Sequence, residues 1–176
     1  MHLKMRSRQA QPGFSLIEVL VTIVIVSVSL LGVAKMQAAS ISNTQVARVR
    51  SLVALQASSL AALMHGNPGY WGSPSAPTSL SATGASTAGV SDCLNALCSN
   101  PADMYAYDWK NWVNGINSQI PSYSATVSCT PTATPVTCVI TISWAEKTVA
   151  INSSQASAAG QVTSQPYSLF VTPGTP

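Results

Sequence analysis

The sequence predicts an α+β fold in which one long N-terminal α-helix packs on a small antiparallel β-sheet, together with one extra helix and disulfides. Three observations lead to this prediction. An apolar segment near the N-terminus continues without a break into a segment with the period of an amphipathic helix. Later segments alternate apolar and polar residues, as strands with one buried face do. All four cysteines lie in the C-terminal half of the chain.

The composition is unusual for a soluble protein. Of the 176 residues only 7% are charged, whereas 47% are hydrophobic. The net charge of +3 comes from Lys4, Arg6 and Arg8, because the other five basic side chains are balanced by the five acidic ones. A neutral body offers no basic surface to a phosphate backbone, so the sequence does not predict binding to nucleic acid.

Residues 14–34 form an apolar segment whose only charge is Glu18. As a helix, this segment is about 30 Å long, which is the thickness of a bilayer core. A secretory signal peptide has a shorter apolar core that ends at a cleavage site, whereas here helix-compatible sequence follows Ala34. The basic residues before the segment place the N-terminus in the cytoplasm and everything after Lys35 beyond the inner membrane.

An ordinary signal anchor explains this segment except for its carboxylate, which costs about 2.5–3.5 kcal/mol in the middle of a span and normally has a partner. The six residues around it resemble the prepilin processing site: Gly13-Phe14-Ser15-Leu16-Ile17-Glu18. The resemblance implies that prepilin peptidase cuts between Gly13 and Phe14 and that Phe14 is then N-methylated. It also implies that Glu18 pairs with the N-terminal ammonium of a neighbouring subunit.

One residue departs from the prepilin pattern. Pro12 stands where many prepilins have Lys or Arg, and the nearest basic residue is Arg8. This departure implies slower cleavage.

The amphipathic segment predicts that the helix continues to about His65, because Gly66, Asn67 and Pro68 follow as a C-cap and a helix stop. The predicted buried face carries Ile41, Val49, Leu52, Val53, Leu60 and Leu63. Residues 71–91 are rich in Ser, Thr, Ala, Gly and Pro, and this composition predicts a surface loop. The predicted organisation is a leader (1–13), an anchoring helix (14–65), a linker (66–92) and a globular head (93–176).

The cysteines form two close pairs, Cys93 with Cys98 and Cys129 with Cys138. Beyond the cytoplasm disulfides are the default, and of the three possible connectivities the sequential one closes two short loops. A zinc site would need tighter cysteine spacing or histidine ligands, and the chain has only His2 and His65. We therefore predict two disulfides and neither a metal nor another cofactor.

The sequence predicts one helix and three strands in the head. Asn100-Pro101-Ala102-Asp103 indicates a helix start, and Pro121 its end. The helix carries an aromatic-rich face: Tyr105, Trp109, Trp112, Val113, Ile116 and Ile120. Segments 123–128 and 138–144 predict a hairpin bridged by Cys129 and Cys138, and 167–171 predicts a third strand. We expect Asp108 to serve as a local cap or to pair with a lysine.

A second resemblance covers most of the chain. The features are, in order, Cys93-x4-Cys98, then Ala106-Tyr107-Asp108 with Trp109 and Trp112, then an apolar strand ending in Trp144. In this order the chain resembles minor pilins of the PilV family, the type IV pilus modification proteins. The resemblance implies a role in initiating pilus assembly, and hence in adhesion and twitching motility. It also implies other minor and major pilins and a PilY-class tip adhesin as partners, and a location in the inner membrane and the pilus.

Three other functional classes stay open at this stage. A minor pseudopilin of a type II secretion system shares the leader and the long helix, although the scattered acids do not predict the calcium site of some pseudopilins. An enzyme is not expected, because the sequence has no plausible base beside a nucleophile. A DNA-capturing pilin would need a basic stripe that the body of this chain does not have.

Overall fold

The computed structural model describes residues 13–147, except 88, 91, 96, 99 and 121, and residues 162–174. Most of the predicted leader and Pro121 therefore lie outside the described residues. The α+β prediction is confirmed. The elements in chain order are α1 (Leu16–Gly66), α2 (Pro68–Trp71), β1 (Leu80–Ala82), α3 (Pro101–Gln119), β2 (Ser124–Cys129), β3 (Cys138–Lys147) and β4 (Val162–Val171).

Helix α1 is one continuous element of 51 residues, about 75 Å long. Residues 13–38 are all exposed, as expected of an apolar segment that is predicted to lie in a membrane. Further along, one face is buried at a spacing of three and four residues, by Val53, Ala57, Leu60 and Met64. The helix ends one residue beyond the predicted end, where Asn67 donates its backbone N–H to the Met64 carbonyl oxygen (3.3 Å).

The predicted buried face of α1 is wrong at its N-terminal end. Ile41 is exposed, whereas Val49 and Leu52 are partly buried and pack against the core. The reason is that the head covers α1 only from about Val49 towards the C-terminal end of the helix. Ile41 lies on the N-terminal side of this covered part and is therefore exposed. Helical period alone predicts the face but not where the head begins to cover it.

The four strands form one antiparallel sheet in the order β1-β2-β3-β4. The predicted hairpin is β2 with β3, in a register that places Cys129 opposite Cys138 and Val127 opposite Ile140. Strand β4 pairs with β3 over ten residues, twice the length that the sequence predicts. Successive inward positions of β3 are buried, as their alternation predicts: Cys138, Ile140, Ile142 and Trp144.

Strand β1 is a correction to the predicted loop over residues 71–91. Its three residues pair with β2, with Leu80 opposite Val127. Further contacts hold the following segment: the Tyr123 hydroxyl donates to the Gly84 carbonyl oxygen (2.9 Å), and the Asn114 side chain accepts from the Ser86 N–H (2.9 Å). Backbone hydrogen bonds place Leu80–Ala82 in the sheet, and the side chains of Leu80 and Ala82 pack against the core. Three residues in a Ser/Thr-rich stretch are too few for a sequence pattern to predict this strand.

Helix α3 starts as the sequence predicts, with the Asn100 side chain accepting the Asp103 N–H (2.8 Å) and Pro101 in the first turn. It runs antiparallel to α1. Asn67, at the end of α1, donates from Nδ2 to the Pro101 carbonyl oxygen (2.7 Å), and Trp112 donates from Nε1 to the Gln56 carbonyl oxygen (2.9 Å).

These contacts define two ends of the head along α1. The distal end lies at Gly66, and the proximal end lies near Arg50, next to the exposed half of the helix. The structure has the disulfides Cys93–Cys98 and Cys129–Cys138, which is the sequential pairing. The first lies distally, because Cys93 Sγ is 4.0 Å from the Asp103 carbonyl oxygen at the start of α3.

A core substitution in the sheet tests this packing. Ile140→Ala should lower the free energy of unfolding by about 2–5 kcal/mol, because the side chain is fully buried and its removal leaves a cavity. Thermal or denaturant unfolding of the detergent-solubilised chain, followed by near-ultraviolet circular dichroism of its tryptophans, measures the change.

Phe170→Ala is the matched control, because Phe170 lies on the same sheet but is 79% exposed. It should lower the free energy of unfolding by less than about 1 kcal/mol. Equal losses from the two variants would contradict the assignment of the buried face.

Candidate functional site

The Gly13–Phe14 peptide bond lies in non-helical backbone immediately before α1. Ser15 follows as the N-cap in an extended conformation, and Glu18 lies in the first turn, with its N–H bonded to the Ser15 carbonyl oxygen (3.0 Å). Phe14 is exposed. A protease therefore meets this bond in an accessible segment without having to unwind the helix.

Polar side chains in the apolar half of α1 differ in their hydrogen-bond partners. Thr22, Ser27 and Ser29 donate their hydroxyls to carbonyl oxygens three or four residues earlier, at 2.7–2.8 Å. The Glu18 carboxylate has no hydrogen bond or ion pair with any residue that the structure describes. The positive end of the helix dipole favours this carboxylate by about 0.3–1 kcal/mol, because Glu18 lies in the first turn of α1.

Comparison with known families bears on this segment. A family model described as the prokaryotic N-terminal methylation motif matches residues 8–34. This chain carries a prepilin-type signal. The match includes the cleavage junction, Glu18 and the apolar half of α1. No curated protein and no solved structure matches the chain.

The prepilin-type signal indicates a precursor of the type IV pilin-like or pseudopilin kind. Such a precursor is processed by prepilin peptidase, associates with pilins and is a structural subunit rather than an enzyme. The signal and α1 together indicate membrane anchoring, since α1 is long and apolar enough to cross a bilayer. Within the described residues, no group of three or more His, Cys, Asp or Glu side chains is placed to hold a metal ion.

A second feature, which the sequence analysis missed, joins α1 to the head at the proximal end. Arg50 binds Glu146 with two parallel hydrogen bonds, Nε to Oε1 at 2.8 Å and Nη2 to Oε2 at 2.9 Å. Trp144 donates from Nε1 to Oε1 of the same carboxylate at 3.1 Å. Glu146 is only 6% exposed, whereas the Arg50 side chain is 58% exposed. A bidentate pair of this kind fixes orientation as well as distance.

The signal for this pair was present in the strand pattern. Glu146 continues the inward positions 140, 142 and 144 of β3, so a carboxylate falls where apolar residues precede it. A charged group at an inward position needs a partner of opposite sign. Only the folded structure identifies that partner, because Arg50 lies 96 residues earlier in the chain.

Arg50 also sets the protonation of this carboxylate. Its hydrogen bonds hold the pKa of Glu146 below the ordinary value of 4.5, against the opposing effect of burial. Because the folded-state pKa is lowered, the pair stabilises the fold fully above the unfolded pKa, and that stabilisation is lost as the pH falls through the folded value.

An aromatic cluster holds the distal end. Tyr70 stacks on Tyr105 with ring centroids 4.1 Å apart, and Trp71 meets Tyr105 edge to face at 5.3 Å. Burial, together with the neighbouring Tyr70, raises the pKa of Tyr105 to about 12. These contacts fix α2 against the start of α3.

The expectation for Asp108 is tested only in part. Among the described residues it forms neither a cap nor a salt bridge with Lys110, and burial raises the pKa of its carboxyl above the ordinary 3.8. The side chain of Lys147, its other expected partner, lies outside the described part of the structure.

Glu146→Gln tests the joint between α1 and the head. At pH 7 it should lower the Tm by about 5 °C, because the ion pair is lost. Melting curves of the solubilised chain at a series of pH values should show a constant gap to the wild type above pH about 5 and a shrinking gap below it.

Asp108→Asn provides a control of opposite sign. Because burial disfavours the ionised Asp108, this variant should be at least as stable as the wild type at pH 7, and the two should converge as the pH falls. A gap for Glu146→Gln that stays unchanged down to pH 3 would contradict the assigned role of the ion pair.

Proposed function

We propose that the mature chain is a minor pilin of a type IV pilus, which is cut after Gly13, N-methylated at Phe14 and drawn from the inner membrane into a filament. The observation that carries this proposal is the continuity of one helix. The methylation motif leads directly into α1, and α1 ends within a head closed by two disulfides. An ordinary anchor has no need of a carboxylate in its apolar half.

Glu18 has the central role in this proposal. Its carboxylate is exposed in a first turn surrounded by apolar side chains, where a bilayer stabilises neither an unpaired charge nor an unmet hydrogen bond. Cleavage after Gly13 creates a new ammonium group on Phe14. The ammonium of one subunit and the Glu18 carboxylate of the next neutralise each other when the helices associate, so the pairing favours assembly over the isolated state in the membrane.

Resemblance to the PilV family supports a place among the minor pilins that initiate assembly. In this proposal the partners are other minor and major pilins and a PilY-class adhesin at the tip, and the consequences are adhesion and twitching motility. The head then lies in the periplasm before assembly and outside the cell afterwards. Both disulfides fit these oxidising compartments.

A minor pseudopilin of a type II secretion system is the second candidate, because the methylation motif is common to both kinds of subunit. The phenotype of a deletion strain distinguishes them. Loss of surface pili with normal secretion supports the pilin, and retained pili with exported enzymes trapped in the periplasm support the pseudopilin.

Gly13→Val tests the processing step. A side chain at Gly13 meets no atom within 4 Å, so the substitution should leave the fold intact. It should change only the recognition of the cleavage site by the peptidase. Intact-mass and N-terminal analysis of membrane extracts should show an uncut leader, whereas the parent protein begins at N-methylated Phe14. Gly32→Val is the matched control, since Gly32 is equally unobstructed and lies beyond the cleavage site. Its leader should be removed normally, and an uncut parent protein would contradict the proposal.

Glu18→Ala tests the assembly step separately. It should leave cleavage unchanged but lower the amount of this chain in sheared filaments by at least about tenfold, because about 1.4 kcal/mol of lost pairing free energy already gives that factor. Thr22→Val serves as the control, since it removes a polar group whose hydroxyl bonds only to its own helix. Normal incorporation of Glu18→Ala would overturn the pairing role.

A further inference from the structure

Strand β4 is the longer of the two edge strands of the sheet. It has ten residues, whereas β1, at the opposite edge, has three. An edge strand presents a row of backbone N–H and C=O groups that no neighbouring strand pairs, and natural proteins protect such rows with short strands, charged residues, prolines or bulges. The shortness of β1 protects its edge, so β4 is the edge that needs another form of protection.

Pro166 shows which backbone groups of β4 point away from the sheet. In an antiparallel pair, every second residue directs both its N–H and its C=O to the same side. Pro166 lies opposite Ser143 and has no N–H to donate, which a strand tolerates where the missing group faces the outer side of an edge. Ser168 and Phe170 follow at intervals of two residues, so their N–H and C=O groups also point outward.

The hairpin between β2 and β3 leads independently to the same result. The Thr130 N–H donates to the Thr137 carbonyl oxygen (2.9 Å), so these two residues are a hydrogen-bonded pair. Such pairs alternate along the ladder, and Thr141 therefore bonds towards β2, where it lies opposite Thr126. The partner of Thr141 in β4 is Ser168, whose backbone groups consequently face the outer edge.

This outer edge is open in its C-terminal half. No described residue outside β3 forms a backbone hydrogen bond with β4 between Pro166 and Phe170. Ser168 is exposed, and Phe170 is 79% exposed. The pairing with β3 runs over ten successive positions without a bulge, and β4 has no charged side chain. Of the usual forms of protection, β4 has Pro166 alone, and this residue lacks only one outward N–H.

The side chains along this edge favour an added strand of a particular pattern. Tyr167 and Leu169 lie on the inner face of β4, pack against the core and remain only partly buried. A neighbouring strand would bury more of their apolar surface if its own inward residues were apolar. On the outer face, Phe170 would contact a residue of that strand across the pair, where aromatic and β-branched residues interact well.

We propose that the edge of β4 from Pro166 to Phe170 binds an extended peptide segment of another protein, which adds to the sheet as a further strand. The N–H and C=O groups of Ser168 and Phe170 and the C=O of Pro166 pair with the backbone of this segment. A row of alternating backbone donors and acceptors is complementary to another extended backbone, which is why the occupant is a peptide. The preferred segment alternates apolar residues with residues of high β-propensity.

A second copy of this chain fits the edge less well than a separate peptide. The β4 strand of a second copy brings its own Pro166 to the same edge, and its β1 offers only three residues. The inference goes beyond the proposed function, because the edge lies in the head and is the same in a pilin and in a pseudopilin.

Selection from a phage-displayed library of random linear peptides tests the proposal on the full chain in lipid nanodiscs. The Ser168→Pro variant is the counter-target. Because the Ser168 N–H points outward, a proline at this position closes the edge and leaves the ladder with β3 intact. Selected peptides should bind this variant at least about tenfold more weakly than the parent chain, because a hydrogen bond is lost and the added strand is displaced.

Ser168→Ala is the matched control. It removes the same hydroxyl, including its hydrogen bond with the Thr141 hydroxyl (3.1 Å), but keeps the backbone N–H. Selected peptides should bind it within about twofold of the parent chain, since side chains on the outer face contribute little to a backbone ladder. Equal weakening by Ser168→Ala and Ser168→Pro would contradict pairing through the backbone.

Amide hydrogen exchange locates the bound peptide. In the chain alone, the amides of Ser168 and Phe170 should exchange quickly, whereas those of Tyr167 and Leu169, which bond to β3, should exchange slowly. A selected peptide should slow exchange at Ser168 and Phe170 by at least about tenfold. Slow exchange at these two amides in the chain alone would show that the edge is already covered, and would overturn the proposal.

N-methylation of the selected peptide tests the pairing without altering the protein. Methylation of alternate residues should abolish binding in one of the two alternating sets and leave it unchanged in the other, because only one set faces β4. Equal effects of the two sets would overturn the proposal, and so would the absence of any peptide that distinguishes the parent chain from Ser168→Pro. Self-association of the chain that Ser168→Pro removes would assign the edge to a second copy and contradict the proposed occupant.

Discussion

The uninterrupted backbone hydrogen bonding of α1 is the constraint on which the rest of the structure depends. A helix is one of the few backbone arrangements that satisfies all its own polar groups in hydrocarbon, so the first half of α1 can leave water without a penalty at each residue. Thr22, Ser27 and Ser29 follow the same rule by donating their hydroxyls within the helix. The second half of the same helix gives its buried face to the head. One element thus serves two environments.

The head is tied to α1 at three heights, which fixes its orientation relative to the apolar segment. The tie points are the Arg50–Glu146 pair at the proximal end, the Trp112–Gln56 hydrogen bond in the middle, and the Asn67–Pro101 hydrogen bond at the distal end. Each links groups far apart in sequence and uses a polar group that is partly or fully buried. Apolar packing drives the association, and these bonds select one orientation from those that packing alone would permit.

Local patterns predicted much of the fold because the physics behind them is local. The C-cap after His65 and the Asn100 cap of α3 depend on residues within one turn, and both helices begin or end within about two residues of the predicted positions. The hairpin was predictable because Cys129 and Cys138 lie at neighbouring ends of two alternating segments.

Sequence reasoning failed where the deciding contact is distant. Strand β1 has three residues in a Ser/Thr-rich stretch, and only the exposed edge of β2 makes it a strand. Ile41 continues an apolar face that the head does not reach, and Glu146 needed a partner that no local pattern could identify. In the candidate site, the motif around Gly13 and Glu18 was visible in the sequence, whereas the joint at Arg50 was not.

The central claim is that the apolar segment and the head share one straight, rigid helix. Pulsed electron paramagnetic resonance of the full chain in lipid nanodiscs, with spin-labelled non-canonical amino acids in place of Leu20 and Leu55, tests this most directly. Both positions are exposed, and their separation of 35 residues predicts a single narrow distance distribution near about 52 Å. A broad distribution, or one centred well below that value, would show that α1 is broken between the membrane and the head, and would contradict the account.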